Sequence, residues 1–327
     1  LLHIGCVCLV WKLISSLLRV HGGVSEKQIL YVNFITTLLF AVHPINVEAV
    51  AWISALKGLL YAFFYLLGLL CYLRYLRTSK IFYYVLTIGC FLCSFWGKEQ
   101  AVTFPLALLI VDWFTNRNMK NLEVWSEKMS FLIMAFFFGI ITVLSQGKGP
   151  YEMIFPLYQR LLFGCFALVE YITKSLLPVN LNFFYPFPIV LGEEPPLHYY
   201  LYPVVLLFLM GWIIAYRNNR YLVFGVLLFL VNLLFSIHLF NMSRHAIVAD
   251  RYMYLSYVGI AFLIANGIWW LRKRLSYFKA ALVFLFFYCF FLSVYTFHYT
   301  KKWENTTMVK KYTKEVLEKR LNGSNHL

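Results

Sequence analysis

The sequence has few charged residues. Only 13% of its 327 residues are Asp, Glu, Lys or Arg, whereas a soluble domain carries about 25%. Acidic residues are especially scarce, with 14 against 29 basic residues, and 61% of the chain is hydrophobic. This composition excludes an ordinary soluble domain. It predicts an all-α polytopic membrane protein, because a helix satisfies the backbone hydrogen bonds of an apolar run in lipid.

The sequence also lacks a metal or redox signature. Its seven cysteines lie in apolar runs, and the one C-x-x-C spacing, Cys90 and Cys93, falls inside a hydrophobic segment. Cysteines in such a setting are typical of small core residues. The net charge of +15 does not indicate nucleic acid binding, because a membrane protein gathers basic residues on one side of the bilayer.

The apolar runs predict ten transmembrane helices, since a span needs about 20 apolar residues and fewer where the bilayer is thin. The predicted spans are 1–20, 28–43, 55–76, 81–97, 100–114, 129–146, 199–216, 221–238, 252–271 and 278–297.

The basic residues orient these spans. Fourteen of them fall in five alternate, short connections: Arg19, Lys27, Arg74, Arg77, Lys80, Arg117, Lys120, Lys128, Arg217, Arg220, Arg272, Lys273, Arg274 and Lys279. The opposite connections are longer in total and hold half as many. The first set is therefore predicted to be cytoplasmic, and the chain should begin and end on the outer face.

Residues 1–298 are predicted to form one transmembrane domain. Its outer loop, 147–198, contains an apolar stretch at 158–176 that charged residues interrupt, which indicates an amphipathic helix on the membrane surface. The polar residues 299–327 form an outer tail, helical over about 304–320, that could begin a further soluble domain.

The chemically interesting groups gather at three corners of the predicted outer face. Polar groups at a membrane edge are costly unless they are solvated, paired or used. The corners are His43 to Lys57, which includes Glu48 and Trp52; Lys98 with Glu99; and Arg244 to Tyr254, which includes Asp250 and Arg251.

These corners admit a functional and a structural interpretation. His43 and Glu48 could act as acid or base, hold a divalent metal or grip a phosphate-linked ligand, and Arg244 or Arg251 matches phosphate oxygens. Equally, Glu48 could pair with Lys57, Lys98 or Arg251 and stabilise a bundle end. Near the cytoplasmic end, Asp112 is expected to have a structural role. Three Asn-x-Ser/Thr sequons, at Asn241, Asn305 and Asn322, fall on the outer side.

Several stretches of the chain resemble, in order, the signatures of the transmembrane and tetratricopeptide-repeat O-mannosyltransferase family and its bacterial relatives. The matching stretches are His43 to Ser54, Gly97 to Trp113, Leu177 to Pro188, Ala249 to Gly259, and Trp303 to Lys319. The form Asp-Arg-Tyr at 250–252 is closer to the bacterial members. After Ser54 the sequence departs from the family pattern, because an Arg and an Asp are missing from residues 55–58.

The resemblance implies a C-type glycosyltransferase fold of eleven spans. It places one span, and an outer loop with a catalytic carboxylate, before Leu1, and repeats after residue 320. Such an enzyme would move a sugar from a polyprenyl-phosphate carrier to a protein or glycan acceptor on the outer face. Glu48 and His43 would be catalytic. The substrate-binding residues would be Lys98, Glu99, Arg244, Asp250, Arg251, Tyr254, Trp52 and Lys57. Membrane lipids and further membrane-complex subunits are expected partners, and nucleic acid is not.

Two other functions are open from the sequence. A non-catalytic membrane subunit could use the same fold to bind a partner or lipid, and a transporter of lipid-linked sugars is less favoured because polar residues lie at the rim and no repeat is visible. The expected location is the bacterial cytoplasmic membrane with the active face to the periplasm, or else the endoplasmic reticulum membrane. An enzyme should bring Glu48, Lys98 and Arg251 together at one outer cavity.

Overall fold

The protein is all-helical in the part of the chain that the structure describes. The structure is a computed structural model that describes residues 1–145, 155–238 and 246–324. Thirteen α-helices occur in these ranges. An antiparallel bridge between Tyr185 and Val248 is the extent of β pairing there.

The helices, in chain order, are α1 (Leu2–His21), α2 (Glu26–Val42), α3 (Val47–Ala51), α4 (Leu56–Thr78), α5 (Ile81–Gly97), α6 (Phe104–Phe114), α7 (Leu122–Ser145), α8 (Leu157–Leu176), α9 (Leu201–Ala215), α10 (Arg220–Leu233), α11 (Met253–Trp270), α12 (Leu275–Lys301) and α13 (Thr306–Ser324).

Six helical segments are long and apolar enough to cross a membrane, and a seventh is possible if the bent pair Glu26–Val42 and Pro44–Ala51 is one span. The six are Leu2–His21, Ile53–Thr78, Leu122–Thr142, Leu197–Ala215, Asp250–Lys273 and Leu275–Lys301. The predicted spans at 81–97, 100–114 and 221–238 are helical but shorter. The protein is thus a membrane protein by composition and helix length, and the count of ten spans stays a prediction.

Two helices show the apolar exterior that lipid requires. None of the residues of α9 is buried, and α12 exposes a row of phenylalanines that includes Phe284, Phe287 and Phe290. Contiguous apolar surface of this kind is rare on soluble proteins. In a bilayer it is the ordinary outer face of a bundle, whose backbone is satisfied within each helix.

The centre of the bundle is built from α1, α2, α4, α10 and α11. Helix α4 packs on α1 and α5, and α11 packs on α2 and α10. The contact between α10 and α11 depends on paired glycines, because a Cβ at Gly259 would lie 2.5 Å from the carbonyl oxygen of Gly225. Small residues let membrane helices approach closely.

The short basic connections meet at one end of the bundle. The imidazole Nδ1 of His21, at the end of α1, lies 2.7 Å from the Phe114 carbonyl oxygen at the end of α6. Arg220, at the start of α10, donates to the Trp113 carbonyl oxygen at 3.0 Å. We call this the basic end. The opposite end carries residues 43–55, 98–103, 177–200 and 246–252 and is called the polar end.

The outer loop and tail contain the helices expected from the sequence. Helix α8 occupies the predicted amphipathic stretch and buries one side, which includes Phe163, Ala167 and Tyr171. Gly164 allows this close packing, since a Cβ there would be 2.5 Å from the Ile237 carbonyl oxygen. Helix α13 covers the predicted tail helix. The position of α8 on the membrane surface and the outer-face location of α13 stay predictions.

Candidate functional site

A double break in the helix path creates the first corner of the polar end. Helix α2 stops at Val42 because Pro44 has no N–H to continue it, and the two apolar helices meet at an angle of 52°. The His43 imidazole closes the break by accepting a hydrogen bond from the Ile45 N–H at 3.2 Å. The five-residue α3 then carries Glu48 into the bundle before a second turn leads to α4.

Glu48 is fully buried and forms a two-point pair with Arg251. One guanidinium nitrogen of Arg251 lies 2.5 Å from Oε1 of Glu48, and the Arg251 backbone N–H donates to Oε2 at 2.8 Å. Both carboxylate oxygens are therefore occupied. The Arg251 side chain keeps 26% exposure, so part of its guanidinium faces the outside of the bundle.

Aromatic rings hold the cations at this corner. The Arg251 guanidinium lies 5.3 Å from the ring centroid of Trp52 and 5.1 Å from that of Tyr252. The Lys98 ammonium lies 4.6 Å from the centroid of the same Tyr252 ring. Two basic groups thus share one aromatic neighbour, an arrangement that the negative face of the ring stabilises.

Lys98 reaches this position because α5 ends directly against α4. At Gly97 a Cβ would lie 2.7 Å from the Tyr61 backbone nitrogen, so the closing residue of α5 must be glycine for the helices to touch. Lys98 follows in extended conformation. Its neighbour Glu99 begins a 3₁₀ turn and is half-buried.

Lys98 and Arg251 line one small cavity at the polar end. Tyr61, Gln100, Asn232, Tyr252 and Tyr254 contribute to its wall. Its volume of about 10 Å³ is room for about one water molecule. Lys98 and Arg251 therefore meet at one cavity, whereas Glu48 does not line it and lies against Arg251 instead. The catalytic and binding roles of these residues stay a prediction. A ligand larger than water would bind at the mouth of the cavity rather than inside it.

The remaining sequence-derived candidates differ in where they lie relative to these cations. His43 is buried with its ring 4.2 Å from that of Tyr257, and Lys57 is exposed on the first turn of α4. The Tyr254 hydroxyl lies 2.7 Å from Nδ1 of His3. Arg244 lies outside the described residues.

Asp250 faces away from Arg251 and fastens the outer loop. The Tyr185 hydroxyl donates to both carboxylate oxygens of Asp250 at 3.0 Å. Burial, followed by the nearby Asp250 charge, raises the pKa of the Tyr185 phenol well above its ordinary value, which keeps it a donor. The Lys174 ammonium lies 4.5 Å from the Tyr185 ring. Asp250 thus connects residues 174–185 to the N-terminal end of α11.

Sequence reasoning named Trp52 but missed Tyr252, the aromatic neighbour that the two cations share, and it also missed the partners of Asp250. Tyr252 follows Arg251 directly, and Tyr185 lies in the aromatic, proline-rich run after α8. A charged residue beside an aromatic one is common in any apolar chain, so the sequence alone did not single them out. Asn232 lies within a predicted span, whereas Gln100 directly follows Glu99 at the start of a predicted span and was given no role.

At the basic end, Asp112 belongs to a buried network of charges. Lys128 forms ion pairs with Asp112 and Glu127, and Arg117 pairs with the same two carboxylates at 3.2 and 2.6 Å. Burial by itself would lower the pKa of Arg117, but hydrogen bonding to Glu127 together with the nearby charges of Asp112 and Glu127 raises it. The structure corrects the placement of Lys128 in a cytoplasmic loop, since it lies within α7 and is fully buried.

The described residues contain no group of three or more His, Cys, Asp or Glu side chains that could hold a metal ion. A divalent metal therefore has no ready set of protein ligands in residues 1–145, 155–238 and 246–324. The cations at the polar end match an anionic ligand instead.

Part of the chain is similar to protein O-mannosyl-transferases. Protein O-mannosyl-transferase TMTC2 of Mus musculus is 36% identical over 101 residues, which is 29% of this chain and 12% of that protein. The Xenopus laevis tmtc2 protein is 31% identical over 123 residues, 35% of this chain and 14% of that protein. Drosophila melanogaster Tmtc3 is 27% identical over 143 residues, 38% of this chain and 15% of that protein.

These alignments cover about a third of the chain and less than a sixth of each relative. No family model matches the sequence, and no solved structure is similar to it. The similarity supports a relationship to O-mannosyl-transferases and, with the apolar helices, to membrane glycosyltransferases in general.

Proposed function

We propose that this protein is a C-type membrane glycosyltransferase that moves a sugar from a polyprenyl-phosphate carrier to a protein or glycan acceptor on the outer face. The observation that carries the proposal is the meeting of Lys98 and Arg251 around Tyr252, with Glu48 beneath Arg251. The relatives are named for O-mannosyl transfer to protein, and we take mannose as the sugar to test.

The two cations suit the leaving group of this reaction. When the bond between the anomeric carbon and the phosphate oxygen breaks, negative charge develops on the departing polyprenyl phosphate. Fixed positive groups that face this charge stabilise the transition state. Arg251 is held in place by Glu48 and two rings, so little of its freedom is left to lose when phosphate binds.

The geometry favours a positioning role for Glu48. Both of its oxygens are occupied by Arg251, so a proton acceptor would have to be another group. Among the described residues Glu99 has no hydrogen bond or ion pair, and it is half-buried beside Lys98. We assign Glu99 as the base. It would take the proton of the acceptor hydroxyl, whose oxygen bonds to the anomeric carbon as the lipid phosphate leaves.

One observation favours a second candidate, a non-catalytic membrane subunit. The carboxylates of Glu48 and Asp250 are saturated by Arg251 and Tyr185, as in a clasp that closes a bundle end. In that case the polar end would stabilise the fold and bind a partner protein or lipid without chemistry.

The Lys98→Gln variant of the full chain is expected to lower kcat/KM for a polyprenyl-phosphate mannose donor by about 10²- to 10³-fold, the loss typical of one transition-state cation or donor. Initial rates of mannose transfer in detergent solution measure this. Glu99→Gln in the same assay should lower kcat and leave the KM of the donor nearly unchanged.

Lys311→Gln removes an exposed lysine of α13 and is the matched control, expected to transfer at the rate of the unmodified chain. Unchanged transfer in Lys98→Gln would favour the non-catalytic subunit or a different site. Unchanged transfer in Glu99→Gln alone would move the base to another residue and leave the phosphate site intact.

The proposed location is the bacterial cytoplasmic membrane, with the polar end in the periplasm. The same orientation in the endoplasmic reticulum would place the polar end in the lumen, where the exposed Asn305 of its sequon could carry a glycan.

A further inference from the structure

A large groove lies at the polar end beside the pair of Arg251 and Glu48, and it shares Trp52 with that site. Its volume is about 980 Å³, at the upper end of the range for ligand pockets. Three separate parts of the chain line it: the turn after α3, the outer loop, and the segment from Trp303 into α13. Because these segments are far apart in the sequence, the groove forms only when the polar end is folded.

One end of the groove is aromatic. The ring of Phe183 lies 5.1 Å from that of Trp52 and 5.8 Å from that of Trp303, and the two tryptophans are 6.5 Å apart. Trp52 is also the ring that holds the Arg251 guanidinium at 5.3 Å. The aromatic end of the groove is therefore one side chain away from the pair of Arg251 and Glu48.

The rest of the groove is a wall along α13, where the apolar Val309 lies among polar side chains. Thr306, Lys310, Thr313 and Lys314 line this wall, which continues to Glu318. The wall is held in place, because the Tyr312 hydroxyl donates to the Leu181 carbonyl oxygen at 3.0 Å and the Lys302 ammonium lies 3.5 Å from the Tyr312 ring centroid. The wall is therefore preformed by contacts within the protein.

The length of this wall distinguishes between ligands. From Thr306 to Glu318 the helix rises about 18 Å, at 1.5 Å per residue. An extended polypeptide advances about 3.3 Å per residue, so five or six residues would follow the wall from end to end. A single sugar ring would occupy only a small part of it.

The charged side chains of the wall favour a ligand with a negative group. Its far part carries Lys310 and Lys314 against Glu318, which lies 3.8 Å from Lys314 with both side chains largely exposed. One positive charge is therefore in excess in this far part, whereas the carboxylate of Glu304 lines the groove near Trp303. A ligand with a negative group four or five residues from its aromatic-facing end would complement this wall.

We propose that the groove binds an extended polypeptide segment of the acceptor, an assignment that rests on the proposed function. A residue with an apolar or aromatic side chain packs on Trp52, Phe183 and Trp303. The hydroxyl residue beside it reaches toward Arg251 and Glu99, and an acidic residue further along the segment faces Lys310 and Lys314.

The test measures peptide binding to the full chain in detergent without any donor, by fluorescence anisotropy. The probe is a labelled eight-residue peptide with a threonine, an adjacent tyrosine, and an aspartate four residues later. A second peptide has lysine in place of the aspartate. We expect Trp303→Ala to weaken binding of the first peptide about tenfold or more, the equivalent of one lost ring contact.

Two further variants keep the result interpretable if Trp303→Ala is unstable. Trp303→Phe should retain most of the affinity, and Lys310→Glu, an exposed change, should reverse the preference between the aspartate and lysine peptides. Trp270→Ala removes an exposed tryptophan of α11 outside the groove and should bind both peptides as the unmodified chain does.

Equal binding of both peptides by every variant would overturn the proposal. Binding of labelled mannotriose with no binding of either peptide would also overturn it and would assign the groove to a glycan. Peptide binding without mannose transfer would overturn the proposed function and leave the groove as a peptide site. Mannose transfer together with peptide binding that neither Trp303→Ala nor Lys310→Glu changes would overturn the peptide groove and leave the proposed function intact.

Discussion

The Arg251→Met variant is expected to lose about 3 to 5 kcal/mol of unfolding free energy, the usual cost of removing one partner from a buried ion pair. Glu48 has no exposed side-chain surface, so water cannot replace the lost guanidinium. The Arg251 backbone N–H would still donate to one oxygen, and the other oxygen would be left unpaired.

The double variant Glu48→Gln with Arg251→Met distinguishes the loss of the ion pair from the cost of leaving a charged carboxylate buried without a partner. Glutamine carries no charge, so the double variant should recover a large part of the stability that Arg251→Met loses, which a double-mutant cycle measures as coupling. Thermal unfolding in one detergent is measured for the unmodified chain, Glu48→Gln, Arg251→Met and the double variant. If Arg251→Met has the same unfolding midpoint as the unmodified chain, Glu48 is not a buried charge that depends on Arg251.

Lys128→Met is the second large effect, with an expected loss of about 3 kcal/mol. Lys128 is fully buried and contacts Asp112, Glu127 and the Tyr72 hydroxyl. Without it, Arg117 would be the one cation of this network facing two carboxylates. The bundle would then hold an excess negative charge where α4, α6 and α7 meet.

The control for Lys128→Met is an exposed ion pair on the same protein. Arg19 and Glu26 lie 3.1 Å apart with side chains that are 57% and 77% exposed. An exposed pair contributes about 0 to 1 kcal/mol, so Arg19→Gln should barely shift the unfolding transition. Equal shifts for Arg19→Gln and Lys128→Met would show that the network at the basic end contributes no special stability.

The helices could be predicted from the sequence because each apolar run leaves the backbone one way to satisfy its hydrogen bonds in lipid. Each of the ten predicted spans overlaps a helix in the residues that the structure describes. How many of them cross the membrane depends on tilt and on bends such as that at Pro44. Those features follow from packing, which residue spacing does not report.

The corners of the candidate site were predictable, and their pairings were not. Glu48 and Arg251 are 203 residues apart in the sequence, so local pattern offered Lys57, Lys98 and Arg251 equally as partners. Asp250 and Arg251 are adjacent, yet they turn to different partners. The sequence places Lys128 in a connection because the next predicted span begins at residue 129. Burial of this charge depends on Asp112, which comes from another helix.

The most direct test of the central claim, that Arg251 serves lipid-phosphate chemistry and not only the fold, is the Arg251→Lys variant of the full chain. Lysine keeps the charge toward Glu48 but loses the planar, two-point geometry for phosphate. We predict a thermal unfolding midpoint within a few degrees of the unmodified chain, together with a loss of about 10²-fold in kcat/KM for mannose transfer from a polyprenyl-phosphate donor. Transfer at the unmodified rate by a stable Arg251→Lys protein would contradict the account and leave the pair of Glu48 and Arg251 as a structural clasp.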